Sequence, residues 1–226
     1  MLTKKEQYDR ANKFLKKKSK INLKGWPKNT HEAAIKFSKI KKDDLLLEVG
    51  CGRGEHFKYF LKKTKKVYGI DISELILKEI PFKEVSLFLA DIEKKTPFKE
   101  EFFDIVISVD VIEHVTNRYY ALREMKRILK RGGKLIIITP NLVKARNRFR
   151  FLFGKYPHTG GKKIKKGVDF FDGGHLQYFT FETLRELGKK EGLKVIKEFG
   201  FGRFGKIHNL FKSFMSGSIC IVFEKI

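Results

Sequence analysis

Apolar residues gather in short continuous runs separated by amphipathic stretches. The runs at 45–49, 67–70, 85–90, 102–109 and 134–139 are rich in Leu, Ile, Val and Phe, and each stops at Gly50, Asp71, Asp91, Asp110 or Pro140. Runs of that length bounded by such residues read as buried strands. Between them the spacing becomes helical. Residues 54–64 carry Phe57, Phe60 and Leu61 on one face, and Ser73 caps a helix through Ile80. Residues 117–130 place Ala121, Leu122, Met125, Ile128 and Leu129 on one stripe, stopped by Gly132-Gly133. Continuous apolar strands alternating with helices predict a parallel sheet covered on both faces.

The flanks are less regular. Asn29 or Thr30 caps a helix through about Ile40, with Ala33, Ala34, Phe37 and Ile40 at helical spacing. The weakly amphipathic spacing at 4–20, with Tyr8, Ala11 and Leu15 on one side, predicts a basic helix ended by Gly25-Trp26-Pro27. After Pro140 the rhythm fails: residues 141–172 hold nine basic residues before the first acid, Asp169, together with Phe149, Phe151, Phe153, Phe170 and Phe171. Order returns where Thr180 caps a helix through about Glu191, followed by Gly192 and strands at 193–199 and 218–223. The count is seven strands.

Composition narrows the class. The 226 residues suit one core with decorations, and 42% apolar with 34% charged residues describes a soluble globular chain. No apolar run approaches the roughly 18 residues a membrane span needs. The N-terminus has no apolar signal region, and two cysteines, Cys51 and Cys220, cannot frame a disulfide scaffold. The expected location is cytoplasmic, with peripheral membrane contact as an extension. Charge changes the picture most. Of the net +24, residues 1–42 carry 14 bases against 3 acids, 43–140 carry 18 against 16, and 141–226 carry 18 against 7. Two strongly basic flanks therefore enclose a balanced middle. Such flanks attract nucleic acid, anionic lipid or acidic small molecules, or simply keep the chain soluble.

The candidate chemistry lies at the ends of the strands. Glu48-Val49-Gly50-Cys51-Gly52-Arg53-Gly54 follows the first strand, where ligands bind in an open parallel sheet. Its glycine spacing is one residue shorter than the dinucleotide fingerprint, and carboxylates at Glu48 and Glu55 favour a cationic ligand over a pyrophosphate. The first four strands each end on an acid: Glu48, Asp71, Asp91 and Asp110. Helix capping explains single acids there, but not four around one crevice.

These residues resemble the class I S-adenosylmethionine (SAM)-dependent methyltransferases. The matching segments are LLLEVGCGRG (45–54), VYGIDIS (67–73), LADIE (89–93), FFDIVISVDVIEHV (102–115) and EMKRILKRGGKLIIITPN (124–141). Glu113-His114 and HLQYFTFETLRELGKKEGLKV (175–195) are similar to the ubiquinone/menaquinone-type and methyltransferase-11/23-type subfamilies. The resemblance implies an α/β fold: a Rossmann-like, seven-stranded, mostly parallel sheet with helices on both faces and an antiparallel last strand. One domain would span 29–226, preceded by a basic arm at 1–28 and carrying a basic-aromatic insert at 141–175 on the acceptor side.

The same resemblance implies site roles. Gly50, Cys51, Gly52 and Gly54 would lie against the methionine and ribose of SAM, with Glu48 near the amino group. Asp71 would accept from the ribose hydroxyls, with Ile72 beside it, and Asp91 and Ile92 would meet the adenine. Val109 and Asp110 would line the methionine end. Arg53 is left outside the site, and Cys51 is not a nucleophile. His114, His175 and Tyr178 are the catalytic candidates, His114 as a base and His175 with Tyr178 closing over the acceptor. Each histidine has a packing alternative, His114 as cap or support for the helix near Asn117. No metal ligand set is read from the chain, although Asp172 keeps a metal in view.

The strand-four exit, Asp110-Val111-Ile112-Glu113, lacks the motif typical of enzymes methylating exocyclic base amines. The insert KARNRFRFLFGKYPHTGGKKIKKG (144–167) interleaves basic and aromatic residues, which suits an anionic lipid or isoprenoid surface, single-stranded RNA, or a mini-core under a lid. The expected activity is SAM-dependent O- or C-methylation of a small-molecule or lipid/isoprenoid-linked acceptor. The alternatives are an RNA methyltransferase using the basic flanks, and a non-catalytic SAM-binding adaptor.

Overall fold

The computed structural model describes residues 21–25, 27–159, 174–202 and 205–226. The helix expected at 4–20, and Trp26, Arg203, Asp169, Phe170, Phe171 and Asp172, lie outside the described residues. The apolar runs become one seven-stranded sheet. Strands β1 (Leu46–Val49), β2 (Val67–Asp71), β3 (Ser86–Leu89), β4 (Phe103–Val109), β5 (Leu129–Pro140), β6 (Leu193–Phe199) and β7 (Ser218–Lys225) stand in the order β3-β2-β1-β4-β5-β7-β6. The first five pair in parallel, and β7 runs antiparallel to both β5 and β6. The expected fold is the observed one, including the reversed last strand.

Alternation along the central strands divides the core into two layers. Leu47, Val49, Leu135, Ile137, Ile219, Ile221 and Phe223 face one layer, while Leu46, Ile105, Ile107, Ile136, Ile138, Cys220 and Val222 face the other. Helix α1 (Thr30–Ser38) covers the second layer with Ala33, Ala34 and Phe37, joined by Phe57 and Phe60 of the short α2 (Phe57–Phe60). A further one-turn helix, α3 (Glu74–Leu77), follows β2 and is capped by Ser73. Helix α4 (Arg118–Ile128) packs Ala121, Leu122, Met125 and Ile128 on the first layer. Helix α5 (Ala145–Leu152) follows β5, and α6 (Phe181–Lys190) adds Phe181, Leu184 and Leu187 to the first layer. Each such aliphatic side chain contributes about 1.5–3 kcal/mol on burial. The final α7 (Lys212–Met215) follows a 3₁₀ turn at Gly205–Asn209.

Capping follows the sequence closely. Asn29 is the cap of α1, its side chain accepting from Glu32 N at 2.9 Å. Thr180 and Thr183 accept from each other's backbone N–H groups, at 3.1 and 2.9 Å, closing the first turn of α6. Three expectations change. The helices expected at 54–64 and 73–80 shorten to α2 and α3. The Gly132-Gly133 pair does not end a helix: Leu129 already pairs with Phe103 of β4, and the glycines absorb the register shift before Lys134 meets Ile105, with Gly132 at φ +72°. Finally, α5 arises inside the insert where no helix was expected, because its apolar side chains face outward and leave no buried stripe to read.

Gly188 sits where α6 crosses the sheet. A Cβ added there would lie 2.2 Å from the ring of Phe223, which is fully buried and cannot move aside. Gly188→Ala should destabilise the fold by about 1–3 kcal/mol, an overpacking effect seen as a lower denaturation midpoint at unchanged slope.

Candidate active site

The strand order reverses between β1 and β4, so the loops leaving these two strands part and open a crevice at their carboxyl ends. The glycine loop after β1 lines it. Gly50, Gly52 and Gly54 have φ of +65°, +51° and +68°, the left-handed region that suits glycine. A Cβ on Gly50 would meet Val111 Cγ2 at 2.4 Å, and one on Gly54 the Phe57 ring at 2.5 Å, so these two allow close packing beneath the loop. A Cβ on Gly52 would meet nothing within 4 Å, so backbone there faces open space that a ligand can occupy.

Asp71, at the end of β2, braces that loop. Its buried carboxylate accepts from Gly52 N at 2.9 Å and from Ser73 N at 3.0 Å. Ala90 N donates to the Asp71 carbonyl at 3.0 Å, which places the end of β3 alongside. Asp91 turns the chain there by accepting from Glu93 N at 3.0 Å. Ile72 is half-buried and Ile92 buried next to these acids. Arg53 leaves the loop to pair with Glu79 at 2.8 Å. Cys51 is buried, and burial followed by the charges of Glu48 and Asp71 pushes its thiol far up, so it is no nucleophile.

At the β1–β4 side the structure adds residues that the sequence did not single out. The Glu48 carboxylate is bonded to His56 Nδ1, and both groups are buried. The Glu48 Oε2 atom is buried without a hydrogen-bond partner. His56 Nε2 meets His31 Nδ1 at 2.9 Å, and His31 Nε2 lies 3.5 Å from Glu55. Burial alone would lower the His56 imidazolium, but the charge and hydrogen bond of Glu48, with Glu55 and Asp110 behind, outweigh it and raise the group. His31 is lowered, by burial and then by the His56 charge. Asp110 has φ +52° and is open to solvent on one side. Protein crowding raises its carboxyl to about 6, against the opposing Thr30 hydrogen bond and His56 charge. Val109 packs half-buried at the same strand end.

The acceptor-side candidates also converge. The turn after β4 carries Glu113 and His114, and the Glu113 carbonyl accepts from Leu176 N at 2.7 Å and Gln177 N at 2.9 Å. Those two bonds fix the 175–178 segment against β4. The His114 and His175 rings meet edge-on with centroids 4.8 Å apart, and Tyr178 is half-buried in the same segment. His114 does not cap α4: Asn117 does, accepting from Tyr120 N at 3.0 Å. His114 Nδ1 instead donates to the Gly174 carbonyl at 3.1 Å.

The chemistry of this donor set fits SAM. An acid at the end of β2 beside an open glycine backbone suits a ribose, and the surrounding carboxylates, with one buried oxygen unpartnered, suit a cation. Comparisons with known proteins agree. The family described as Methyltransferase domain matches residues 47–137. One uncharacterized protein of Methanocaldococcus jannaschii is 42% identical over 101 residues, which span 45% of this chain and 43% of the relative. Another is 31% identical, across 74% of this chain and 68% of its own. A protein of Alkalihalophilus pseudofirmus named demethylmenaquinone methyltransferase is 26% identical over 88% and 84%. Among solved structures, a putative methyltransferase from Bacillus halodurans superposes with TM-score 0.64 at 19% identity, covering 86% of this chain and 98% of that one. The fold and these matches define an enzyme that transfers methyl groups. The chain belongs to the class I SAM-dependent methyltransferases, and SAM is its cofactor.

Two outcomes follow from the crevice. Asp71→Ala removes an anionic acceptor worth about 1.5–3 kcal/mol per bond to it, so SAM affinity measured by calorimetry should fall by about tenfold or more. The raised His56 pKa stabilises the fold fully below about pH 6.5, and that contribution is lost as pH rises through the raised value. The stability difference between wild type and His56→Gln, measured by denaturation from pH 6 to 9, should therefore shrink with rising pH.

Proposed function

We propose that the enzyme methylates a lipid- or isoprenoid-linked acceptor at an oxygen or a carbon, and takes that acceptor from an anionic surface. The supporting observation is α5 and its surroundings. Arg146, Phe149, Arg150, Phe153 and Lys155 line an open hollow, and Phe149, Phe153 and Leu152 are more than half exposed. The Arg148 guanidinium lies 5.9 Å from the ring of Phe214, which joins α5 to the exposed Leu210, Phe211 and Phe214. One surface thus presents phenylalanines among guanidinium groups. Each aromatic buried in lipid contributes about 1.5–3 kcal/mol, and each base near an anionic leaflet about 1 kcal/mol. The relatives named demethylmenaquinone methyltransferases support the same acceptor class.

The surface connects to the crevice. Asn147 of α5 accepts from His158 N at 3.2 Å, and the neighbouring Thr159 hydroxyl meets His175 Nδ1 at 2.6 Å. Bound SAM supplies an electrophilic methyl group on a sulfonium. The chain contributes position: the glycine loop and Asp71 hold the cofactor, and the 175–178 segment covers the acceptor side. A hydroxyl acceptor would meet the methyl group beside the His114–His175 pair.

Methyl-tritiated SAM incubated with separate lipid and RNA extracts tests this reading. Label should enter the organic phase, and Phe149→Ser/Phe153→Ser should lower both that label and sedimentation with anionic vesicles by about tenfold or more. Aqueous label sensitive to ribonuclease would overturn it in favour of an RNA acceptor. SAM binding without label in either fraction would favour an adaptor.

A further inference from the structure

We propose that Glu113, His114 and His175 form a binding site for one divalent transition-metal ion of the zinc class. The sequence alone showed no ligand set, because His175 lies far from Glu113 and His114 along the chain. Folding joins them. One ligand atom from each of the three lies within 4.8 Å of the others. The two segments are locked by the bonds from Leu176 N and Gln177 N to the Glu113 carbonyl, so the cluster rests on backbone rather than on surface side chains.

The second observation is an unmet buried group. Glu113 is 1% exposed, and its Oε2 accepts from the Thr139 hydroxyl at 2.9 Å. Its Oε1 is buried with no hydrogen-bond partner among the described residues. Buried polar atoms are nearly always satisfied, so an unmet carboxylate oxygen calls for a donor or a cation. A cation between Glu113 and the two imidazoles satisfies that oxygen.

The imidazoles are prepared for the same task. A carbonyl can only accept, so the Gly174 contact puts the His114 proton on Nδ1 and the ring's lone pair on Nε2. The Thr159 hydroxyl, able to donate or accept, meets Nδ1 of His175 at 2.6 Å and holds that ring in place. An outer partner on one ring nitrogen that orients the other is the usual arrangement around metal-bound histidine. Two imidazoles with one carboxylate favour zinc or iron over magnesium. Ligands about 2.0–2.2 Å from one ion stand closer together than 4.8 Å, so binding draws the three side chains inward. Three protein donors leave a position for water or an acceptor oxygen. Resting on the function proposed above, the inference specifies an acceptor whose reacting end carries a hydroxyl, which a metal binds and whose proton passes to water.

The full chain, stripped with a chelator, is dialysed against Zn²⁺ and its metal content measured, with Co²⁺ as a spectroscopic substitute and SAM binding followed by calorimetry in parallel. One equivalent should bind, and His114→Ala, His175→Ala and Glu113→Gln should each weaken it by about tenfold or more. Glu113→Gln keeps an oxygen for Thr139, so it tests the ligand with the packing intact. Failure of wild type to retain Zn²⁺ or Co²⁺ overturns the inference whatever the variants do, as does retention that the three substitutions leave unchanged. Metal retained with SAM affinity absent would count against the cofactor site and leave this one standing.

Discussion

The grip of one buried carboxylate organises the crevice. Asp71 ends β2 with its charge enclosed, and a buried charge is tolerated only when donors surround it. The donors it finds are Gly52 N and Ser73 N, so the same group fixes the glycine loop after β1 and the first turn of α3. Two loops from adjacent strands are thereby tied at one point. The open backbone at Gly52 and the strand-end acids keep their places because that tie does not depend on loop packing. Gly50 and Gly54 serve the other side of the constraint, letting Val111 and Phe57 close beneath the loop.

Most of the sheet was legible because its strands are buried on both faces, and continuous runs such as 134–139 and 102–109 admit few other readings. Capping residues such as Asn29, Ser73 and Thr180 carried the helix starts, since each supplies an oxygen where backbone N–H groups need one. What stayed hidden had no periodic trace. Helix α5 turns Phe149, Phe151 and Leu152 toward solvent, so its apolar residues do not mark a face against a core. Gly132-Gly133 reads as a helix stop from either side, and only the pairing of Leu129 with Phe103 places it within a strand.

The site divides in the same way. Acids at strand ends were readable from position alone, because parallel strands bring their carboxyl ends together. The Glu48–His56–His31 chain was not, since it depends on α1 bringing His31 against His56, 25 residues further along the chain. The signal available was weak: a histidine one residue after Glu55, and another just inside the first turn of a capped helix. Glu113 was noticed for its neighbour rather than for itself, and its unmet oxygen exists only in three dimensions.

Two opposite fields coexist in this chain of net charge +24, and their separation makes both useful. The crevice concentrates Glu48, Asp71, Asp91 and Asp110, with local relief from His56, from backbone N–H groups and from Thr30. Surface charges are screened beyond about 8–10 Å at ordinary ionic strength, so bases on α5 need not neutralise acids at the strand ends. Asp110 shows the limit of this local relief: with Thr30 and His56 both favouring its ionised form, its carboxyl still stands near 6. A cationic ligand in the crevice would supply the missing charge, and an anionic partner would suit the guanidinium groups outside. The fold therefore keeps the acids of the strand ends and the guanidinium groups of α5 as separate features, each suited to a ligand of opposite charge.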